Sequence, residues 1–269
     1  MPELPEVETV RTAMDCHLVG RTILSVQSSS KRLREPLPRK RLSKLAGSRF
    51  VAAKRRAKFL LLQLDNEMVL VVHLGMTGNL LFRNERQTHD HVVFNLDDGP
   101  PLIFSDPRRF GMMLALLPHE LEKCQYLRKL GVEPLENDFD GDHLYTYCRG
   151  RTRPIKSLLL DSRIVVGVGN IYASEALFRA RIRPTTRCKR LSRIRCSVLA
   201  EKIIEVLTDA ISEGGTTISD YLGSATGGLF QQHLAVYGRT GEECFLCKQP
   251  IRKIIIAGRS SFYCSNCQK

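Results

Sequence analysis

No stretch of eighteen consecutive apolar residues occurs in this 269-residue chain, so its sequence carries no membrane-spanning signature. The first ten residues, MPELPEVETV, contain three glutamates and no apolar run, and do not read as a secretory signal; the chain reads as soluble and cytoplasmic. Internal repeats and low-complexity tracts are missing, which excludes repeat architectures. Walker and dinucleotide-binding glycine fingerprints are missing too. The cysteine count, nine, is odd, so the cysteines cannot all be paired in a disulfide framework. Negative charge is in short supply: 28 Asp+Glu face 41 Lys+Arg, leaving a formal charge of +13.

That excess is unevenly placed. Lys31 to Lys58 holds twelve basic residues and one acid, Glu35; Arg179 to Arg195 holds eight basic residues and no acid. Two such blocks in a chain with 43% hydrophobic residues favour a folded protein with a polyanionic partner, nucleic acid above all. An acidic membrane surface would call for an amphipathic helix with a bulky apolar face, and neither block has one.

Val7, Val10, Met14 and Leu18 recur at helical spacing behind Pro2 and Pro5, which predicts a first helix. From Thr22 to Leu117 short strands follow one another. KFLLLQL and MVLVVHLGM form one hairpin, and HVVFNLDDGPPLIF, turned at Asp98-Gly99, forms a second; the pattern indicates an antiparallel sandwich or barrel. A helix is expected from His119 to Gly131, then a polar connector, VEPLENDFDGD. Three helices follow, in RPIKSLLLD, NIYASEALFRARI and SRIRCSVLAEKIIEVLTDAISEGG. Ser192 is the expected N-cap of the third, Leu199, Ile203, Val206 and Ala210 its buried stripe, and Gly214-Gly215 its stop. The expected division is 1–131, a connecting region 132–150, a helical domain 151–236 and a tail 237–269.

Chemistry concentrates in a few places. Cys244-x2-Cys247 and Cys264-x2-Cys267, sixteen residues apart, have four-thiolate zinc spacing, and a hairpin of KIIIAG and SSFYC would carry Arg259 at its tip. Cys16, Cys124, Cys148, Cys188 and Cys196 read as scattered reduced thiols, most of them buried. VVGVGNIYASEALF sets two glycines before Asn170 and a helix after it, either an anion seat at a helix N-terminus or a tight packing turn. HLGMTG and DPRRFG place Met76, Arg108 and Phe110 at strand ends, where Met and Phe could wedge into a base stack and Arg could bond a base edge. At the chain tip, trimming of Met1 would expose the secondary amine of Pro2. An α-amino group titrates near about 8, so part of it is unprotonated and nucleophilic at neutral pH. The bland alternative is that Pro2, Pro5, Glu3, Glu6 and Glu8 simply start a helix.

Taken together, PELPEVETV, RRAKFLLL, HLGMTG, DPRRFG, VVGVGNIYASEALF, VYGR and the paired CxxC tail closely resemble the bacterial formamidopyrimidine-DNA glycosylases, in the same order from Pro2 to Lys269. The resemblance implies an α+β fold: an N-terminal helix with an antiparallel β-sandwich, a helix-two-turns-helix domain and a C-terminal zinc-finger β-hairpin. DNA would lie in the cleft between domains. It implies that the Pro2 amine attacks C1′ of an oxidised purine nucleoside to give a Schiff base, with Glu3 as general acid/base, Glu6 as supporting carboxylate and Lys58 beside the phosphate of the extruded nucleotide. It further implies DNA contacts by His91, Arg109, Asn170, Arg259 and Lys156, filling of the vacated stack by Met76, Arg108 and Phe110, β,δ-elimination at the abasic site, and one structural zinc on Cys244, Cys247, Cys264 and Cys267. The expected partner is duplex DNA containing oxidised purines, bound by a monomer with no membrane association.

The loop expected over the extruded purine, LGSATGGLF, lacks the acidic-glycine step common in that family. Two other readings give different outcomes. An endonuclease VIII-type relative would prefer oxidised pyrimidines, and a non-catalytic zinc-finger DNA-binding protein would be indifferent to blocking Pro2.

Overall fold

Proline needs no amide partner in the first turn of a helix, and Pro5 sits there in α1 (Leu4–His17), which buries Leu4, Val7, Val10 and Met14. The computed structural model describes residues 2–216 and 229–269. The chain divides into two compact units, Met1–Arg128 with Gly214–Gly228, and Lys129–Glu213 with Leu229–Lys269. Among the described residues no helix is long and apolar enough to cross a membrane.

In the first unit α1 leads into β1 (Ile23–Ser28), α2 (Arg39–Leu42), β2 (Phe50–Arg56), β3 (Phe59–Leu64), β4 (Val69–His73), β5 (Asn79–Phe82), β6 (Asp90–Leu96), β7 (Leu102–Ser105) and β8 (Met112–Leu116). They form two four-stranded antiparallel sheets, ordered β1-β6-β7-β5 and β2-β3-β4-β8. Period-two alternation buries Leu60, Leu62 and Leu64 of β3, while β4 is buried almost throughout. Val72 faces Leu60 and Leu70 faces Leu62 across that hairpin. One apolar core gathers these side chains with Leu80, Phe94 and Phe104 of the other sheet and Val7, Val10, Met14 and Leu18. Phe50 and Phe94 meet edge to face at 6.2 Å. Both expected hairpins form. Asn66 Oδ1 accepts the Met68 N–H at 3.1 Å in the first turn, and Gly99 supplies a φ of +60° in the second.

Two expectations need correction. The helix expected over 119–131 is only α3 (Pro118–Glu122), followed by turns. This stretch has no buried stripe to support a helix, since Cys124 alone is buried, and the Tyr126 hydroxyl donates instead to Glu35. The stretch read as a polar connector contains a helix, α4 (Gly141–Cys148). Its signal is local: the Asp140 carboxylate caps it by accepting the His143 N–H at 2.7 Å, and Leu144 and Cys148 form its buried side.

The second unit continues through α5 (Ile155–Leu159), α6 (Asn170–Arg179) and α7 (Arg193–Ser212), then β9 (Ile251–Ile256) and β10 (Arg259–Cys264). Ser192 caps α7 as expected, accepting the Arg195 N–H, and Cys196, Leu199, Ile203, Val206 and Ala210 are buried along one side. Of the five scattered cysteines, Cys16 is exposed and the other four are buried. The Glu175 carboxylate, 2% exposed, lies within α6 and accepts N–H groups from Ala235 at 2.9 Å, Val236 at 3.0 Å and Tyr237 at 2.8 Å. Burial pushes its pKa up, while those three donors pull the other way. This clamp fixes the segment that enters the zinc-finger tail.

Replacing Glu175 by Ala strands three backbone donors in the interior. At about 1–3 kcal/mol for a buried group left without its acceptor, Glu175→Ala should lower stability by at least about 2 kcal/mol, read as a lower urea midpoint by circular dichroism.

Candidate active site and nucleic-acid interface

At the chain tip, Pro2 is half-buried and precedes α1, and the two carboxylates beside it, Glu3 and Glu6, are each 1% exposed. Glu6 divides its oxygens. Oε2 accepts the Glu3 N–H at 2.8 Å; Oε1 accepts the Thr216 N–H at 2.9 Å and hydroxyl at 3.0 Å. Gly215 makes this approach possible. Its φ is +81°, and a Cβ there would come within 2.9 Å of Glu6 Oε1.

Lys58 is half-buried in the turn from β2 to β3. Glu8 of α1 holds that hairpin: Arg55 Nε meets Glu8 Oε2 at 2.7 Å, Arg11 Nε meets Glu8 Oε1 at 2.6 Å, and Arg55 Nη1 donates to Ala57 O. Facing the hairpin at the end of β4, His73 packs on Phe59 with ring centroids 4.8 Å apart, and its Nδ1 accepts the Gly75 N–H at 2.9 Å. Burial, then the positive charges of Arg34 and Lys58, push its pKa down to about 3. His73 is therefore neutral at physiological pH.

The two loops with wedge residues share one brace. Asp106, fully buried, accepts the Thr77 hydroxyl at 2.7 Å on Oδ1 and the Gly111 N–H at 2.7 Å on Oδ2. Gly75, with φ +65°, lets the loop backbones touch; a Cβ would sit 2.5 Å from Gly111 N. Met76 and Phe110 thus project 40% and 44% exposed, and the Arg108 guanidinium lies 4.9 Å over the Phe110 ring. Arg109 is exposed in the same loop, with φ +58°. His91, expected as a DNA contact, is instead 1% exposed: Nε2 donates to Asp106 O at 2.9 Å and Nδ1 lies 3.2 Å from Ser29 Oγ. It supports the loop from beneath.

In the second unit Asn170 opens α6 behind Gly169, and its Oδ1 is buried with no hydrogen-bond partner among the described residues. An N–H-rich helix end is a natural anion seat. Arg259 is exposed at the start of β10, at the tip of the β9–β10 hairpin where the sequence places it. Lys156, also expected as a DNA contact, is fully buried. Its Nζ donates to Ser174 Oγ at 3.0 Å and Ser260 O at 3.1 Å, while the Ser174 hydroxyl donates to Asn170 O at 2.8 Å. The lysine thus couples the start of α6 to the residue after Arg259.

The four tail thiols converge, all sulfurs lying within 4.8 Å of one another, with Cys244 to Cys267 at 3.9 Å and Cys247 to Cys264 at 3.4 Å. Tetrahedral thiolates about 2.3 Å from zinc lie about 3.8 Å apart, so this donor set fits one structural zinc ion. The Cys267 N–H also points at Cys264 Sγ.

Sequence reading passes over His73, Thr216 and Glu175, and marks Asp106 only as a turn former. Their signal is tertiary, except for Asp106, where an acid beside proline and two residues before exposed arginine could have suggested a brace. The base-covering loop expected at 222–230 lies almost entirely outside the described residues.

Three family models match successive parts of the chain: formamidopyrimidine-DNA glycosylase N-terminal domain over residues 1–113, formamidopyrimidine-DNA glycosylase H2TH domain over 130–221, and a zinc finger found in FPG and IleRS over 241–269. The chain is 46% identical over 276 residues to formamidopyrimidine-DNA glycosylase of Stutzerimonas stutzeri, and 45% over 273 residues to that of Salmonella arizonae, covering 100% of each pair. Among solved structures, a Lactococcus lactis FPG variant in complex with Fapy-dG-containing DNA superimposes with a TM-score of 0.92 at 34% identity, covering 100% of both chains. The FPG protein of Thermus thermophilus gives 0.88 at 38% identity, covering 99% of this chain and 98% of that one.

Two outcomes follow for the free protein. As pH falls from about 6.5, the unfolded chain protonates His73 while the folded chain resists until about 3, so stability drops across that window. His73→Gln should flatten this slope in urea titrations of the first unit. Metal analysis should find one zinc per chain. Chelation should abolish duplex binding by releasing the Arg259 hairpin, while leaving the β-sheet circular dichroism of the first unit in place.

Proposed function

The chain belongs to the formamidopyrimidine-DNA glycosylase family, and from that membership we propose how its own residues excise oxidised purines from DNA. It is a base-excision repair enzyme, a glycosylase and AP lyase. The observation that carries the residue assignment is the tip itself. A chain end, ordinarily frayed, is followed here by two buried carboxylates, and that of Glu6 takes the Glu3 amide on one oxygen and Thr216 on the other.

After removal of Met1, the Pro2 amine attacks C1′ of the extruded nucleotide. The N–C1′ bond forms as the glycosidic bond breaks, and its electron pair leaves with the base. Glu3 protonates the deoxyribose ring oxygen, the ring opens, and the amine sheds its proton to give an iminium. That iminium acidifies the C2′ proton. Its abstraction expels the 3′ phosphate by β-elimination, and a second elimination expels the 5′ phosphate. Glu6 orients Glu3 and the tip. Lys58, half-buried in the turn from β2 to β3, takes the phosphate flanking the extruded nucleotide.

Met76 and Phe110 fill the vacated stack, and Arg108 turns to the orphaned base, normally cytosine. Such wedges offset the few kcal/mol that extrusion costs. Arg109, Asn170 and Arg259 contact phosphates; His91 and Lys156 act one step back, holding the loop and helix that make those contacts. The orphaned Asn170 Oδ1 and the N-terminus of α6 suit the backbone on either side of a kink. A single chain carries every one of these groups, and the working form is a monomer.

Borohydride reduction during turnover of a duplex carrying 8-oxoguanine opposite cytosine should trap the protein through Pro2, located by peptide mapping. Trapping on Lys58 would move the nucleophile there. Glu3→Gln should slow single-turnover base release by roughly 10²–10⁴-fold with duplex affinity retained; a loss of affinity alone would remove Glu3 from the chemistry.

A further inference from the structure

The basic block from Arg179 to Arg195 is left unused by the site described above. Two of its eight cations are neutralised within the fold: Arg179 pairs with Glu205 and Asp209, and Arg193 with Asp142. The other six, Arg181, Arg183, Arg187, Lys189, Arg190 and Arg195, have no carboxylate side chain within 4.0 Å among the described residues. Arg181, Arg187, Lys189 and Arg190 are exposed. Arg183 Nε is buried without an acceptor.

Five of these six, all but Lys189, line two cavities that share Lys269. One, of about 560 Å³, has Arg183, Arg187, Arg190, Arg195, Thr186 and Lys269 in its walls; the other, of about 570 Å³, is bounded by Arg181, Leu246, Asn266, the same Lys269 and Cys267 at the edge of the four-thiol cluster. The walls are held from behind. Arg183 Nη2 donates to Ser265 O at 3.1 Å, and Arg195 Nη2 donates to Arg181 O at 3.2 Å and Lys269 O at 3.0 Å. Asn170 opens α6 and this block follows its last turn, so the ten-residue helix separates the two positions by about 15 Å. One phosphate cannot serve both.

We propose that these paired cavities form a second polyanion site, which binds the phosphodiester backbone of a DNA segment other than the one held at the lesion site. Guanidinium groups and hydroxyls match phosphate oxygens, and arginine's planar fork bonds them in pairs. A protein partner would need apolar or aromatic pockets for its anchoring side chains, and Leu246 is the single large apolar side chain among those lining the two cavities. Two adjoining anion seats sharing Lys269 suit a polymer with regularly repeating charge. The site would keep the enzyme on DNA between lesions, or let it hold two duplexes at once.

The test uses full-length protein saturated with a short duplex containing a tetrahydrofuran abasic analogue, which occupies the lesion site without requiring Pro2 chemistry. A second, undamaged fluorescent duplex should then bind. In R187E/R190E its affinity should fall about tenfold or more, with the log K versus log salt slope reduced by about two, while single-turnover excision of 8-oxoguanine stays unchanged. R187Q/R190Q, which adds no negative charge, should give a smaller loss in the same direction. Failure of the saturated protein to bind the second duplex at low salt, or equal binding by the variants, would overturn the proposal. Tighter binding of a polyglutamate peptide than of the duplex would overturn it in favour of an acidic protein. Excision is read separately, so a failure of the lesion chemistry would not be mistaken for a failure of this site.

Discussion

The first unit depends on one carboxylate. A chain terminus has a peptide bond on one side only, and Glu6 supplies restraint there through side-chain hydrogen bonds. One oxygen takes the Glu3 amide and the other takes Thr216, so the tip is fixed to a strand of chain 210 residues away. Burial strengthens these bonds, because water cannot compete for the carboxylate. The same burial makes the arrangement costly to disturb, since a donor left without Glu6 would remain inside. Gly215 is part of the restraint: any side chain there would push Thr216 off the oxygen it needs.

The wedge loops repeat that logic on a smaller scale. Met76, Arg108 and Phe110 must stand exposed against solvent, which gives them no packing of their own. Asp106 and His91 supply order from below, and contact between backbones at Gly75 leaves the loops little room to move independently. In the second unit Lys156 plays the equivalent part between Asn170 and Arg259. In each case a candidate contact group rests on a fully buried polar group beneath it.

This layering explains what the sequence could reveal. The sheets, α1, α7 with its Ser192 cap, and the thiolate cluster are legible because each is written in local spacing: period two, period 3.6, a cap, a pair of CxxC turns. The candidate DNA-facing residues are legible as motifs, since Met76, Arg108, Asn170 and Arg259 lie in short distinctive stretches. The polar groups beneath them are not. His73, Glu175 and Thr216 draw their importance from partners between two and more than two hundred residues away, and no period or spacing marks such pairs. The same blindness made His91 and Lys156 read as surface contacts. The resemblance carries those two residues over by position, and position says nothing of their burial. The failed helix after Glu122 and the missed helix at Gly141 come from weighing charge and polarity above capping and burial.

The first unit is discontinuous: it draws on the chain before Lys129 and returns to it at Gly214, with the helices α4 to α7 made in between. During synthesis the β-sandwich can collapse early, yet Thr216 reaches Glu6 only after two hundred further residues have left the ribosome. A growing or prematurely ended chain therefore has an amine at its tip but no clasp to aim it. Long-range closures of this kind are slow and come late in folding. Under the proposed Pro2 chemistry, that order of assembly keeps reactivity from preceding recognition.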